Sequence, residues 1–241
     1  MTDLLEFGIA PEVARRFPGI EVHAVRATGF LAAVPRLDHE ADLRAAVARI
    51  GTLGIDREKL AELPLVAVWR KAYAALKVRP SQFRASIEAL LRRAVVGQDL
   101  ALPIPSVNLY NAVSLDCLAP IGAYDMTKLP ATPMMLRLAD PAADVFTPLG
   151  GKAADFPLNP ELVVYATGST VLCWGFNCRD NVETALDARS DDIVFFSEAV
   201  DAAGAENARR AIEDIRARLT AVGVTCSDVV AASKHVPRFR L

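Results

Sequence analysis

SVNLYNAVSLDCLAPIGAYDMTKL, residues 106–129, sits where two kinds of chain meet. In its first half Asn108, Asn111 and Ser114 recur every third residue, so in a helix they lie toward one polar face, with Asp116 off it. Its second half places Pro120, Gly122 and Asp125 in a turn that brings backbone amides and a carboxylate toward the same place. Two readings are open. The polar side chains satisfy buried backbone groups where the helix packs on a sheet, or they face a ligand.

Upstream of this segment the pattern is mostly helical. Pro11 opens a short helix ended near Phe17, and Ile20, Val22 and Ala24 then alternate as a strand running to Gly29. Asp38 stands where a cap is wanted for a helix over His39–Ile50, with Leu43, Ala46, Val47 and Ile50 inward. Pro64 opens another helix with Val68, Ala72 and Leu76 inward. A third carries Phe83, Ile87, Leu90, Leu91 and Ala94 and closes at Gly97. Downstream, Pro103–Pro160 is rich in proline and holds the pair Gly150-Gly151, which predicts short strands and turns. Met134–Leu138, Leu162–Tyr165, Val171–Trp174 and Ile193–Phe196 read as buried strands. Gly204–Val222 is the clearest helix, with Ala208, Ile212, Ile215, Leu219 and Val222 in step, and with Glu206–Arg210 and Asp214–Arg218 as pairs on its wet face. Lys234–Leu241 reads as a basic surface tail. Helices, then strands, then a closing helix predict a single α+β domain, its short mixed strands forming a sheet or a barrel-like layer covered by helices. Within it, residues 1–64 form an N-terminal part, 65–222 the core and 224–241 a tail.

Composition narrows the function. A chain of 241 residues that is 52% hydrophobic and 23% charged buries a proper core, which excludes a disordered linker or a small disulfide scaffold. The N-terminus lacks the basic start and apolar stretch of a secretory signal, and no apolar run approaches a membrane span, so a cytoplasmic protein is expected. Cys117, Cys173, Cys178 and Cys226 lack metal-site spacing and read as reduced core thiols; no metal or cofactor is expected. No glycine-rich phosphate loop follows a strand and no nucleophile elbow is present. His23, His39 and His235 have no neighbours that make a triad. A net charge of −2 hides an asymmetry. Arg70, Lys71, Lys77, Arg79, Arg84, Arg92 and Arg93 face Glu88 alone, while Asp180–Asp201 holds seven acidic residues against Arg189. The basic block is either a solvated helix face or a phosphate contact.

A second polar cluster follows Val171–Trp174. In CWGFNCRDNVET the apolar strand gives way to Asn177, Arg179, Asp180 and Thr184, which make either a surface turn or the rim of a pocket. Glu198 ends the run IVFF, where a carboxylate is costly unless exposed, paired or functional.

PSQFRASIEALLRR, NLYNAVSLDCLAPIGAYDMTKL, LVVY, CWGFNCRDNVET and IVFFSEAVD together resemble the B three/four module of the phenylalanyl-tRNA synthetase beta subunit, and in particular its free-standing bacterial relatives, over Leu65–Val222. The resemblance implies a compact mixed fold around a pocket where a wrongly attached amino acid is hydrolysed from tRNA. It carries the editing asparagine onto Asn111, and the glutamate that faces the mischarged side chain onto the strand end at Glu198, with Ser197 the neighbouring register. The pocket glycine falls on Gly175, while Gly122 stands where the synthetase module has a histidine. Ser114, Trp174, Asn177, Arg179 and Asp180 complete the implied substrate contacts, with Glu198 and position 122 the catalytic ones. Arg79, Arg84, Arg92 and Arg93 would meet RNA. The implied partner is tRNA or an amino acid, and two roles follow: an aminoacyl-tRNA deacylase, or a binding module that has lost hydrolysis with the histidine.

Overall fold

A computed structural model describes residues 4–241. The chain opens with β1 (Glu6–Ile9), then α1 (Pro11–Arg16) and β2 (Glu21–Thr28). After α2 (Phe30–Ala33) comes α3 (His39–Thr52), where Asp38 stands at the N-cap but accepts no capping hydrogen bond. α4 (Pro64–Ala75) buries Val66, Trp69, Ala72 and Tyr73, and leaves Val68 half-buried. α5 (Ser86–Ala94) begins later than its periodicity suggests, since Phe83 lies in the preceding turn against Trp174 and Phe156. α6 (Pro105–Cys117) has proline in its first turn and ends at Leu118, whose left-handed backbone closes the helix on the Ser114 carbonyl.

β3 (Ile121–Asp125), β4 (Met134–Leu138), β5 (Val163–Thr167), β6 (Thr170–Trp174), β7 (Arg179–Asp180) and β8 (Asp192–Ala199) follow. α7 (Ala202–Ala221) is capped by the Asp201 carboxylate, and its Glu206 pairs with Arg209 rather than Arg210. β9 (Thr225–Cys226), β10 (Val230–Ser233) and β11 (Arg238–Arg240) close the chain. The last residues are therefore no surface tail. β11 pairs antiparallel with β1, and Phe239 packs on Phe7.

The strands form two sheets, with no closed barrel among the described residues. One runs β11-β1-β4-β5-β6-β7 and the other β10-β2-β8-β3, with β9 beside β2. The sheets meet through an aromatic layer in which Phe196 of β8 contacts Phe7, Tyr165 and Phe239. Alternation along β8 sends Val194, Phe196 and Glu198 toward this layer, and Ile193 and Phe195 toward Ile212, Ile215 and Leu219 of α7. No helix is long and apolar enough to cross a membrane among the described residues.

Candidate functional site

At the β3 edge of the second sheet, α5, α6, β3, β8 and the β6–β7 turn enclose a cavity of about 470 Å³. Glu198 enters it from the end of β8. Only 2% of this residue is exposed, yet it has no cationic partner among the described residues. Asn177 Nδ2 donates to one carboxylate oxygen at 2.6 Å and the Tyr165 hydroxyl to the other at 3.2 Å. Burial pushes the Glu198 carboxyl up to about 7, against those two hydrogen bonds, which pull it down.

The Asn177 amide is itself fixed. Its Oδ1 accepts from the Ser86 backbone N–H at 3.0 Å, and the buried Tyr73 hydroxyl donates to the Gly175 carbonyl beside it. Gly175 and Phe176 both have positive φ, 64° and 57°, and this double left-handed turn swings Asn177 off β6 toward Glu198. A phenylalanine in that conformation is strained. Its ring is held edge-on against Phe17 and Trp69, which offsets the strain.

The remaining walls are polar and hydroxyl-rich. Asn111 and Tyr110 of α6 and Tyr124 of β3 line the cavity, and no protein group within the described residues hydrogen-bonds their side chains. Asp180 lines it as a half-buried carboxylate, its pKa raised by desolvation against a lowering Cys173 contact and the nearby Arg179 charge. Arg179 forms no ion pair with it; its guanidinium lies 5.2 Å over the Phe156 ring and donates to the Leu149 carbonyl. Arg93 adds a second exposed cation at the rim. Burial holds the Cys173 thiol well above its ordinary value and pushes Cys178 up to about 11, so neither presents a thiolate nucleophile near neutral pH. Gly122 faces the cavity, and a Cβ placed on it would meet nothing within 4 Å.

Residues 68–229 match the model of the B3/4 domain, the domain found in the phenylalanyl-tRNA synthetase beta subunit. This chain belongs to the B3/4 domain family. A search of the curated proteins finds no match.

The residues singled out in the sequence, by spacing or by the B3/4 resemblance, do not all reach the site. Asn111, Ser114, Gly122, Asn177, Arg179, Asp180 and Glu198 line the one cavity. Ser114 nevertheless donates to the Ala119 carbonyl at 2.6 Å, the local structural role. Asn108 turns away, clamping both the amide and the carbonyl of Leu102 and meeting His39. Asp125 caps the turn at Thr127. Trp174 is a core residue whose indole donates to the Pro157 carbonyl, and Gly175 shapes the turn without lining the cavity. Ser197 points to the opposite face of β8 and donates to the Pro120 carbonyl.

The basic block divides in the same way. Arg70, Arg84 and Arg92 converge on the buried Glu88, at 2.6, 3.5 and 4.0 Å, so much of this charge is internally neutralised. Of the four arginines assigned to RNA, Arg84 and Arg92 belong to that cluster, while Arg79 and Arg93 are exposed. Sequence reasoning missed the tyrosines altogether. Three of the four in the chain, Tyr110, Tyr124 and Tyr165, line the cavity, and Tyr73 braces the turn that carries Asn177; they come from four different elements, so no local motif announces them.

Proposed function

We propose that this B3/4 protein takes the aminoacyl end of a charged tRNA into the cavity and hydrolyses the ester. Glu198 carries this reading: a carboxyl buried in an otherwise reachable cavity and raised to about 7 is matched to proton transfer at neutral pH. As carboxylate it takes a proton from a water that attacks the ester carbonyl carbon. When the tetrahedral species collapses, the acyl C–O bond breaks and the proton passes to the departing ribose oxygen. The unengaged Asn111 amide supplies a donor for the developing oxyanion. Arg79 and Arg93, with Lys71 and Lys77, are exposed cations suited to phosphate.

Gly122 favours a second reading, binding without hydrolysis, because it leaves empty the space where the synthetase module carries a histidine. A deacylation screen over mischarged tRNAs separates the two. Hydrolysis that falls about tenfold or more in Glu198→Gln supports the first. Full activity in Glu198→Gln removes that residue from the chemistry. Binding without hydrolysis, with turnover gained in Gly122→His, establishes the second.

A further inference from the structure

β3 is the edge of its sheet that opens on the cavity, and half of its main chain is unused there. The direction of each group follows from β2. Arg26 donates its N–H to the hydroxyl of Ser227, just after β9, and accepts the Ser227 N–H on its carbonyl, so its main chain is turned away from β8. Strand residues alternate in this respect, and Val25 and Ala27 therefore face β8, where they pair with Phe195 and Ile193. Val194 and Phe196 are then turned toward β3, where they pair with Tyr124 and Gly122. Ile121 and Ala123 are left pointing their N–H and C=O groups away from the sheet.

Those groups have no hydrogen-bond partner among the described residues. Yet Ile121 is 4% exposed and Ala123 9%. Their side chains pack in the layer against α7, so what both residues present to the cavity is main chain. Buried backbone groups are nearly always paired, and one left unpaired costs about 1–3 kcal/mol. The edge therefore suits a guest that carries a donor and an acceptor at peptide spacing. It has room for one residue rather than a strand: Pro120 precedes it, Asp125 caps the helical turn Met126–Lys128 directly after it, and α5, α6 and the β6–β7 turn enclose it. Ile121 stands opposite Ser197, one residue from Glu198, which sets the α-carbons of Ile121 and Glu198 about 6 Å apart by strand rise and spacing.

We propose that the free edge of β3 reads the main chain of the aminoacyl group: the Ile121 carbonyl accepts from its α-ammonium and the Ile121 N–H donates to its acyl oxygen, the two bonds of an antiparallel pair. This deepens the aminoacyl reading above and rests on it, because it holds the acyl carbon beside Glu198 and gives the oxyanion a donor next to the Asn111 amide. No protein side chain takes part, so the contact is the same for every L-amino acid.

The test is NMR titration of the isotope-labelled protein with L-alaninamide, L-leucinamide and L-phenylalaninamide, each beside the same amide lacking its α-amino group. Every L-amide should bind about tenfold or more tightly than its desamino partner, the scale of a charge-assisted hydrogen bond, and by a similar factor whatever the side chain. The Ile121 amide proton should move downfield and exchange more slowly on binding, while those of Gly122 and Tyr124, already turned to β8, change little. Ile121→Pro removes a donor that the ladder does not use, a place where an edge strand tolerates proline, and should weaken all three amides about tenfold; the wild-type amide shifts carry the test should that variant fail to fold. Equal binding of the desamino amides, shifts that spare Ile121, or no binding of any amide overturns the proposal. A preference lost in Asp180→Asn overturns it too, by making a carboxylate the partner of the ammonium, as does tighter binding of tetra-alanine amide than of alaninamide, which would make the edge a partner for peptide strands. Deacylation of aminoacyl-tRNA and its α-hydroxyacyl counterpart at equal rates sinks this proposal and leaves the hydrolytic reading standing. Main-chain recognition in a protein that hydrolyses no charged tRNA does the reverse.

Discussion

Replacing Glu198 by glutamine should stabilise the protein at alkaline pH while damaging its site. The carboxyl ionises near 4.5 in the unfolded chain and at about 7 in the fold, so the folded state holds its proton more tightly. Stability contributed by the protonated form is complete below 4.5, declines as the pH rises toward 7, and is gone above about 8. That interval corresponds to about 3 kcal/mol, undiminished by solvent screening because the residue is 2% exposed. Glutamine carries no such titration, and the Tyr165 hydroxyl can reverse its hydrogen bond to satisfy the new amide. The two proteins should therefore melt together near pH 4.5, with Glu198→Gln ahead by about 6–12 °C at pH 8.5, on the scale of a few degrees per kcal/mol for a chain of this size. Differential scanning fluorimetry across pH 4.5–8.5 reads the gap directly. Parallel curves, or a wild-type protein that gains on the variant as pH rises, would refute the argument that this carboxyl is buried without compensation.

Asn177→Ala removes the strongest hydrogen bond lowering the Glu198 pKa, so the midpoint of the wild-type decline should move above 7 in the same melting series; an unmoved midpoint would deny the contact its electrostatic role. Glu88→Gln leaves Arg70, Arg84 and Arg92 around a site without its anion and should cost about 3–5 kcal/mol in urea unfolding, whereas a loss below about 1 kcal/mol would mean the cluster is solvated. Charge reversal at Arg79 and Arg93 together should weaken tRNA binding and flatten its salt dependence in filter-binding assays; unchanged affinity would move the RNA contact elsewhere.

What the sequence disclosed follows from how far each signal extends. α7 was readable because its apolar positions repeat over five turns; α6 was not, because the prolines of 103–160 read as strands and turns, whereas Pro105 stands in the first turn of a helix that runs to Cys117. β1 (EFGI) and β11 (RFR) were not readable either, since three or four residues carry no period; β11 is a strand because β1 lies beside it, and β1 because it lies between β11 and β4. Asn108 shows the limit of spacing at the site. A step of three residues rotates by 300°, so Asn108 and Ser114 stand 120° apart around α6, and only the Ser114 end faces the cavity. Glu88 shows the limit of counting charge. The single acid in a basic block looked incidental, yet three arginines are arranged around it.

The residues outside the family match determine what the match can do. β2, at Glu21–Thr28, lies wholly before residue 68 and pairs antiparallel with β8 along its whole length, from Glu21 opposite Ala199 to Thr28 opposite Asp192. On β8's other side, β3 places Gly122 opposite Phe196. Strand side chains alternate with a period of two, so a slip of one residue would turn Glu198 toward α7 and put Ser197 in the cavity. The slip would also drive Val194 and Phe196 out of the aromatic layer between the sheets, where Phe196 meets Phe7, Tyr165 and Phe239. Burial of those apolar side chains at about 1.5–3 kcal/mol each outweighs the cost of holding one uncompensated carboxyl beside them. Phe7 and Phe239 belong to the two terminal strands, so these strands supply part of the packing that keeps Glu198 pointed into the cavity.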